Sequence, residues 1–106
     1  MLVRQNVRQM ARKAGFCLTS QARMTAVVSE IARAALERRW NADFTLRLFS
    51  HRGKSTLEVT CHSRDMQRDG EYVAHLRHEV EGLVGNTETT IQHYTGQLTL
   101  RFCAQS

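Results

Sequence analysis

Apolar residues in this chain fall at two different spacings, and the order in which those spacings alternate constrains the fold more than any other feature. Val3, Val7, Met10, Ala11 and Ala14 recur at the intervals of one helical face, and Gly15 follows where a C-terminal cap belongs. Met24, Val27, Val28, Ile31 and Ala35 draw a second helical stripe, expected to run to about Trp40, with Thr19 and Ser20 as candidate N-caps. The period then drops to two. Phe44, Leu46 and Leu48 alternate with Thr45 and Arg47, and Leu57, Val59 and Cys61 alternate with Glu58, Thr60 and His62. His51-Arg52-Gly53-Lys54 supplies the turn of this hairpin. Ser63 to Gly70 reads as a polar connection. Helical spacing returns at Tyr72, Val73, Leu76, Val80, Leu83 and Val84 and closes at Gly85-Asn86. A second hairpin, Thr89 to Tyr94 and Gln97 to Cys103, turns at Gly96 with Leu98, Leu100 and Phe102 inward. The order ααββαββ predicts an α+β two-layer sandwich, with helices on one face of a mainly antiparallel sheet. Its expected core contains Val27, Ile31, Leu46, Val59, Leu76 and Leu100.

Positions 1–106 are expected to form a single domain, because 106 residues leave no room for two separate cores. Hydrophobic residues make up 42% and charged residues 24%, which excludes a disordered chain, and the absence of proline excludes a proline-rich linker or ligand motif. No apolar run approaches the ~20 residues of a membrane helix, and the opening Met1-Leu2-Val3-Arg4-Gln5 lacks a signal-peptide stretch. A cytoplasmic location with no membrane is therefore expected. Cys17, Cys61 and Cys103 form no C-x-x-C pair and are expected to be reduced and buried, Cys61 and Cys103 on inward strand faces. The net charge of +5 would favour an acidic partner or nucleic acid. The arginines, however, are spread along the chain and not interleaved with aromatics, which disfavours nucleic acid.

The segment Val7 to Leu36 resembles the opening of the anti-sigma serine kinases of the GHKL (histidine kinase-like) ATPase superfamily. There a short helix ends in alanine-x-glycine-phenylalanine, followed by a run such as D-Q-A-R-I-x-T-A-x-S-E-L-A-R-N. The segment's Gly15-Phe16 stands at the glycine-phenylalanine of the first feature. Ser20-Gln21-Ala22-Arg23-Met24-Thr25-Ala26-Val27-Val28-Ser29-Glu30-Ile31-Ala32-Arg33-Ala34 follows the second nearly throughout. The resemblance implies a glutamate that acts as general base and, four residues on, an asparagine that holds the magnesium bridging the ATP phosphates. Glu30 stands at the first position. Ala34 stands at the second, and a methyl group cannot coordinate a hard cation.

The family's next motif is an aspartate followed by x-G-x-G, where the carboxylate receives the adenine amino group. In register with Leu57 to His62, its aspartate position falls on Ser63 and its first glycine on Asp65. Moving the register to use Asp65 leaves Gln67 and Asp69 at glycine positions. The family's glycine-rich ATP lid and its first strand have no counterpart in this sequence. The resemblance therefore implies a degenerate member with no cofactor and no metal, Glu30 being a relic base and Ala34, Ser63 and Asp65 lost nucleotide positions.

Three functions are compatible with these residues. A regulatory module would dock a STAS-domain anti-anti-sigma protein, a sigma factor or a regulatory phosphatase, as a monomer or a homodimer, without phosphoryl transfer. A residual ATP-dependent serine/threonine kinase would use Glu30. A basic module would bind nucleic acid. Glu30 also reads as a surface charge paired with Arg33. His75 and His78, with His62 or His93, read as surface histidines before a metal site. Trp40 reads as a core or rim aromatic.

Overall fold

The computed structural model describes residues 2–51, 53–84, 89–94 and 96–103. Its elements are α1 (Leu2–Lys13), α2 (Leu18–Glu37), β1 (Asp43–His51), β2 (Lys54–His62), a 3-10 turn (Arg64–Asp69), α3 (Gly70–Val84), β3 (Thr89–Tyr94) and β4 (Gln97–Cys103). The strands form one antiparallel sheet in the order β1-β2-β4-β3. On its inner face lies a helix layer in which α2 is flanked by α1 on one side and α3 on the other. This is the expected α+β sandwich with the expected element order. Arg52 of the first turn and the Gly85-Asn86 helix end lie outside the described residues.

The α1–α2 corner is set by Phe16. Gly15 adopts φ 83°, which lets the backbone reverse, and the Phe16 amide donates to the Ala11 carbonyl at 3.0 Å while its ring enters the core. This anchor starts α2 earlier than Thr19 or Ser20. Cys17 occupies the N-cap without a side-chain capping bond, and the Gln21 amide donates to its carbonyl at 2.9 Å. At the other end α2 stops at Glu37, short of Trp40. Arg39 takes a left-handed φ of 57°, and the Trp40 amide returns to the Ala35 carbonyl at 2.9 Å, folding the indole into the core.

Leu57, Val59, Cys61, Leu98, Leu100 and Phe102 line the inner sheet face and pack with Val27, Val28, Ile31, Val73, Leu76 and Val80 in one cluster. Five of the six expected core residues are fully buried. Leu46 is the exception, being half-buried, and Leu48 two positions on is 41% exposed. Both point inward in register with Val59 and Leu57, but β1 is the edge strand and the helix layer does not cover its length.

Three further expectations are corrected. The connection after β2 is a 3-10 turn whose Met66 is buried, not a purely polar loop. Cys17 is exposed, so the cysteines are not uniformly buried. Cys103 faces outward opposite Thr56, because strand alternation after Leu98, Leu100 and Phe102 puts position 103 on the other face. The outer face also carries Arg47 and Arg101, both paired with Glu58 at 3.3 and 2.7 Å, and the Thr60–Thr99 hydroxyl pair at 3.3 Å.

Candidate functional site

The residues singled out by the motif resemblance fall on two elements. Glu30 and Ala34 lie one turn apart on α2. Glu30 is partly exposed, and its carboxylate accepts from the Arg33 guanidinium, which also donates to Glu37 at 2.7 Å. This is the i,i+3 surface pair the sequence suggested. Ala34 is fully buried, although the resemblance places it where the family presents its magnesium ligand to the nucleotide. With α1 on one side of α2 and α3 on the other, the buried arc widens to take in Thr25, Ala32 and Ala34 beside the Val27–Ile31 stripe. The helix face that would hold magnesium is core.

Ser63 and Asp65 follow the end of β2, and both are engaged in the backbone. The Ser63 amide donates to the Gly96 carbonyl at 2.9 Å, and its Oγ accepts from the Asp65 amide at 3.1 Å, capping the 3-10 turn. Asp65 Oδ2 in turn accepts from the Asn41 amide at 2.8 Å. Gly96, at φ 74°, lies so close that a Cβ there would sit 3.1 Å from the Ser63 carbonyl oxygen. Together these bonds join the start of β1, the end of β2 and the β3–β4 turn. The residues present do not fit a magnesium–nucleotide group: one position is a sealed methyl, and the other two use their oxygens to hold the chain.

A second cluster lies where the 3-10 turn meets α2. Asp69 accepts from Arg38 at 2.6 and 3.1 Å and from the Trp40 indole at 2.8 Å, and these bonds, Arg38 first, hold its carboxyl below the usual carboxylate range. Arg38 also lies over the Tyr72 ring at 4.5 Å, and Trp40 meets Tyr72 edge to face. Arg38, Trp40 and Asp69 are bonded to one another and pack on Tyr72, so the cluster fastens the end of α2 to the start of α3.

Histidine and cysteine chemistry finds no gathered site. Among the described residues no group of three or more His, Cys, Asp or Glu could hold a metal ion, and His75 pairs with Glu79 at 3.0 Å. Burial pushes the Cys61 thiol up to about 12, an inert core position. Cys17 is held below the usual thiol range by its bond to Ser20, but it stands alone on the surface.

The feature that sequence reading missed is a basic furrow between α1 and α2. It consists of two adjoining hollows that share Arg8: in one, Arg8 and Arg12 of α1 face Leu18, Gln21 and Ala22 of α2, and in the other, Arg4, Gln5 and Arg8 face Thr25. The signal was in the acids, not the arginines: no Asp or Glu occurs before Glu30. Among the described residues Arg4, Arg8, Arg12, Lys13 and Arg23 make no ion pair. No helix among the described residues is long and apolar enough to cross a membrane. Compared with known proteins, the chain matches no family model, no curated protein and no solved structure.

Proposed function

We propose that this chain is a regulatory protein-binding module, resembling an anti-sigma switch kinase, that docks a partner protein without phosphoryl transfer. The observation that carries this reading is the burial of Ala34: a site whose magnesium position is a core methyl has no surface left to offer a nucleotide. The hydrogen bonds of Ser63 and Asp65 support it, since those oxygens are already committed to the chain. Glu30 supports it as well, because a general base must point a free lone pair at the reacting proton and this carboxylate is tied to Arg33. The partner class suggested by the motif is a STAS-domain anti-anti-sigma protein, a sigma factor or a regulatory phosphatase.

Calorimetric titration with ATP and magnesium tests this directly, together with mass analysis of a STAS-domain protein incubated with the chain and ATP. No binding heat and no phosphate gain are expected. A ligand bound only to the folded state at 100 times its Kd adds about 2.7 kcal/mol to stability. A clear upward shift in Tm with millimolar ATP would therefore overturn the reading.

A further inference from the structure

We propose that the furrow between α1 and α2 is a docking groove for an acidic amphipathic helix of a partner protein. The inference rests on the protein-binding reading above and names the surface and chemistry of that partner. Arg4, Arg8 and Arg12 stand four residues apart on one flank of α1, hence about 6 Å apart along its axis. Carboxylates four residues apart on a partner helix have the same spacing, so a helix laid along the furrow meets each guanidinium with one carboxylate in turn.

The facing bank requires something different. On α2, Leu18 is 81% exposed and Ala22 is exposed beside it. The Gln21 side chain donates to the Phe16 carbonyl at 2.8 Å, and the Gln21 backbone carbonyl accepts from the Thr25 hydroxyl at 2.8 Å. With the Gln21 amide nitrogen turned to the backbone, Leu18 and Ala22 give this bank its apolar surface. An occupant must therefore carry an acidic flank and an apolar ridge side by side, which describes an amphipathic helix in a groove.

Nucleic acid fits less well. A helix that reads a DNA groove leads with its outermost crest, and the crest of α1, opposite Val7 and Ala11, carries Gln9, while Arg4, Arg8 and Arg12 line the furrow, with Gln5 beside Arg4. Residues 1–29 contain one aromatic, Phe16, which is buried and cannot stack on a base.

The test measures anisotropy of a labelled helical peptide of about five turns. It carries three glutamates four residues apart beside a Leu/Ala ridge, and is compared with a peptide of equal composition whose glutamates lie opposite the ridge. The first peptide should bind at low salt, and the second roughly tenfold more weakly. Arg8→Glu and Leu18→Asp should each weaken the first peptide by about tenfold, while Arg64→Glu, an equal charge change on another surface, stays within about twofold. Thermal unfolding of all three variants checks that they remain folded. Equal binding of the two peptides, or equal loss in Arg64→Glu, would reduce the furrow to bulk charge attraction and overturn the proposal. So would absence of peptide binding, or tighter binding of a DNA duplex at the same salt that is lost in Arg8→Glu. Nucleotide titration separates the two readings. ATP binding alongside register-dependent peptide binding removes the functional reading and keeps the groove, whereas absence of both does the reverse.

Discussion

The first 29 residues and the rest of the chain use charge in opposite ways. Positions 1–29 hold five of the fifteen Lys and Arg residues and no acid, so the remaining ten cations share the rest of the chain with all ten acids. In that second region arginines fasten the molecule to itself: Arg33 holds Glu30 and Glu37, Arg38 holds Asp69, Arg77 holds Glu81, and Arg47 and Arg101 share Glu58. Among the described residues the cations of the first region make no ion pair, and three of them, Arg4, Arg8 and Arg12, line the furrow. The net charge of +5 is thus not a property of the whole surface. One part of the fold balances its charge and ties five of its arginines to its own acids, and the other carries cations with no acid of its own to meet.

The comparison can be broken most severely inside the core that both regions share. Ile31→Ala should cost about 2–5 kcal/mol by urea denaturation, the range for a fully buried aliphatic. A change within noise would mean that α2 does not hold the two regions together. Ala34→Asn comes next. Placing an amide at this buried position should cost about 1–3 kcal/mol and restore no ATP affinity. A neutral substitution with micromolar ATP binding would reopen the nucleotide site.

Smaller effects sharpen the contrast between paired and unpaired charge. Asp69 has a depressed carboxyl, so its contribution is fully present above its unfolded value near ~3.9 and is lost as pH falls through the lower folded value. The stability gap between wild type and Asp69→Asn should accordingly be constant above about pH 5 and shrink towards about pH 3. A gap that grew on acidification would contradict the Arg38–Asp69–Trp40 arrangement. The smallest change is expected for Arg8→Gln. Like charges four apart on a helix destabilise by about 0.2–0.5 kcal/mol per pair, and Arg8 has such neighbours on both sides, so the variant should be slightly more stable at low salt. The gain should vanish near 1 M salt, where screening acts over ~3 Å. If Arg8→Gln instead destabilises the protein, Arg8 has an internal partner and the first region is not open.

Periodicity made most of the fold legible. The alternation of Leu57, Val59 and Cys61 and of Leu98, Leu100 and Phe102 identified the inner sheet face, and the Val27–Ile31 stripe identified the buried side of α2. What it did not reveal depends on neighbours. Leu46 and Leu48 alternate like core residues, but alternation fixes a face without saying whether a helix covers it at an edge. The start of α2 depends on Phe16 being drawn into the core, a tertiary fact that Thr19 and Ser20 do not betray. Met66 is a single apolar residue among Arg64, Asp65, Gln67 and Arg68, and one residue has no period. Ala34 fits core or surface equally well, and its burial follows from α2 having a helix on each side. The furrow is not legible in the arginines alone, because whether a cation stands open depends on the acids near it, and none precedes Glu30.

The position of β4 has a consequence for how the protein comes into being. This strand lies last in chain order among the described elements, yet it sits in the interior of the sheet, bonded to β2 on one side and β3 on the other. A ribosome-bound chain that has not yet emitted residues 97–103 can close the β1–β2 hairpin and pair α1 with α2, but β2 then presents a row of unpaired backbone N–H and C=O groups along the edge that β4 will take. Such an edge is a template for pairing with another chain. Synthesis of this protein therefore passes through a stage at which its longest-standing strands are its most adhesive, and only the arrival of the final strand ends it.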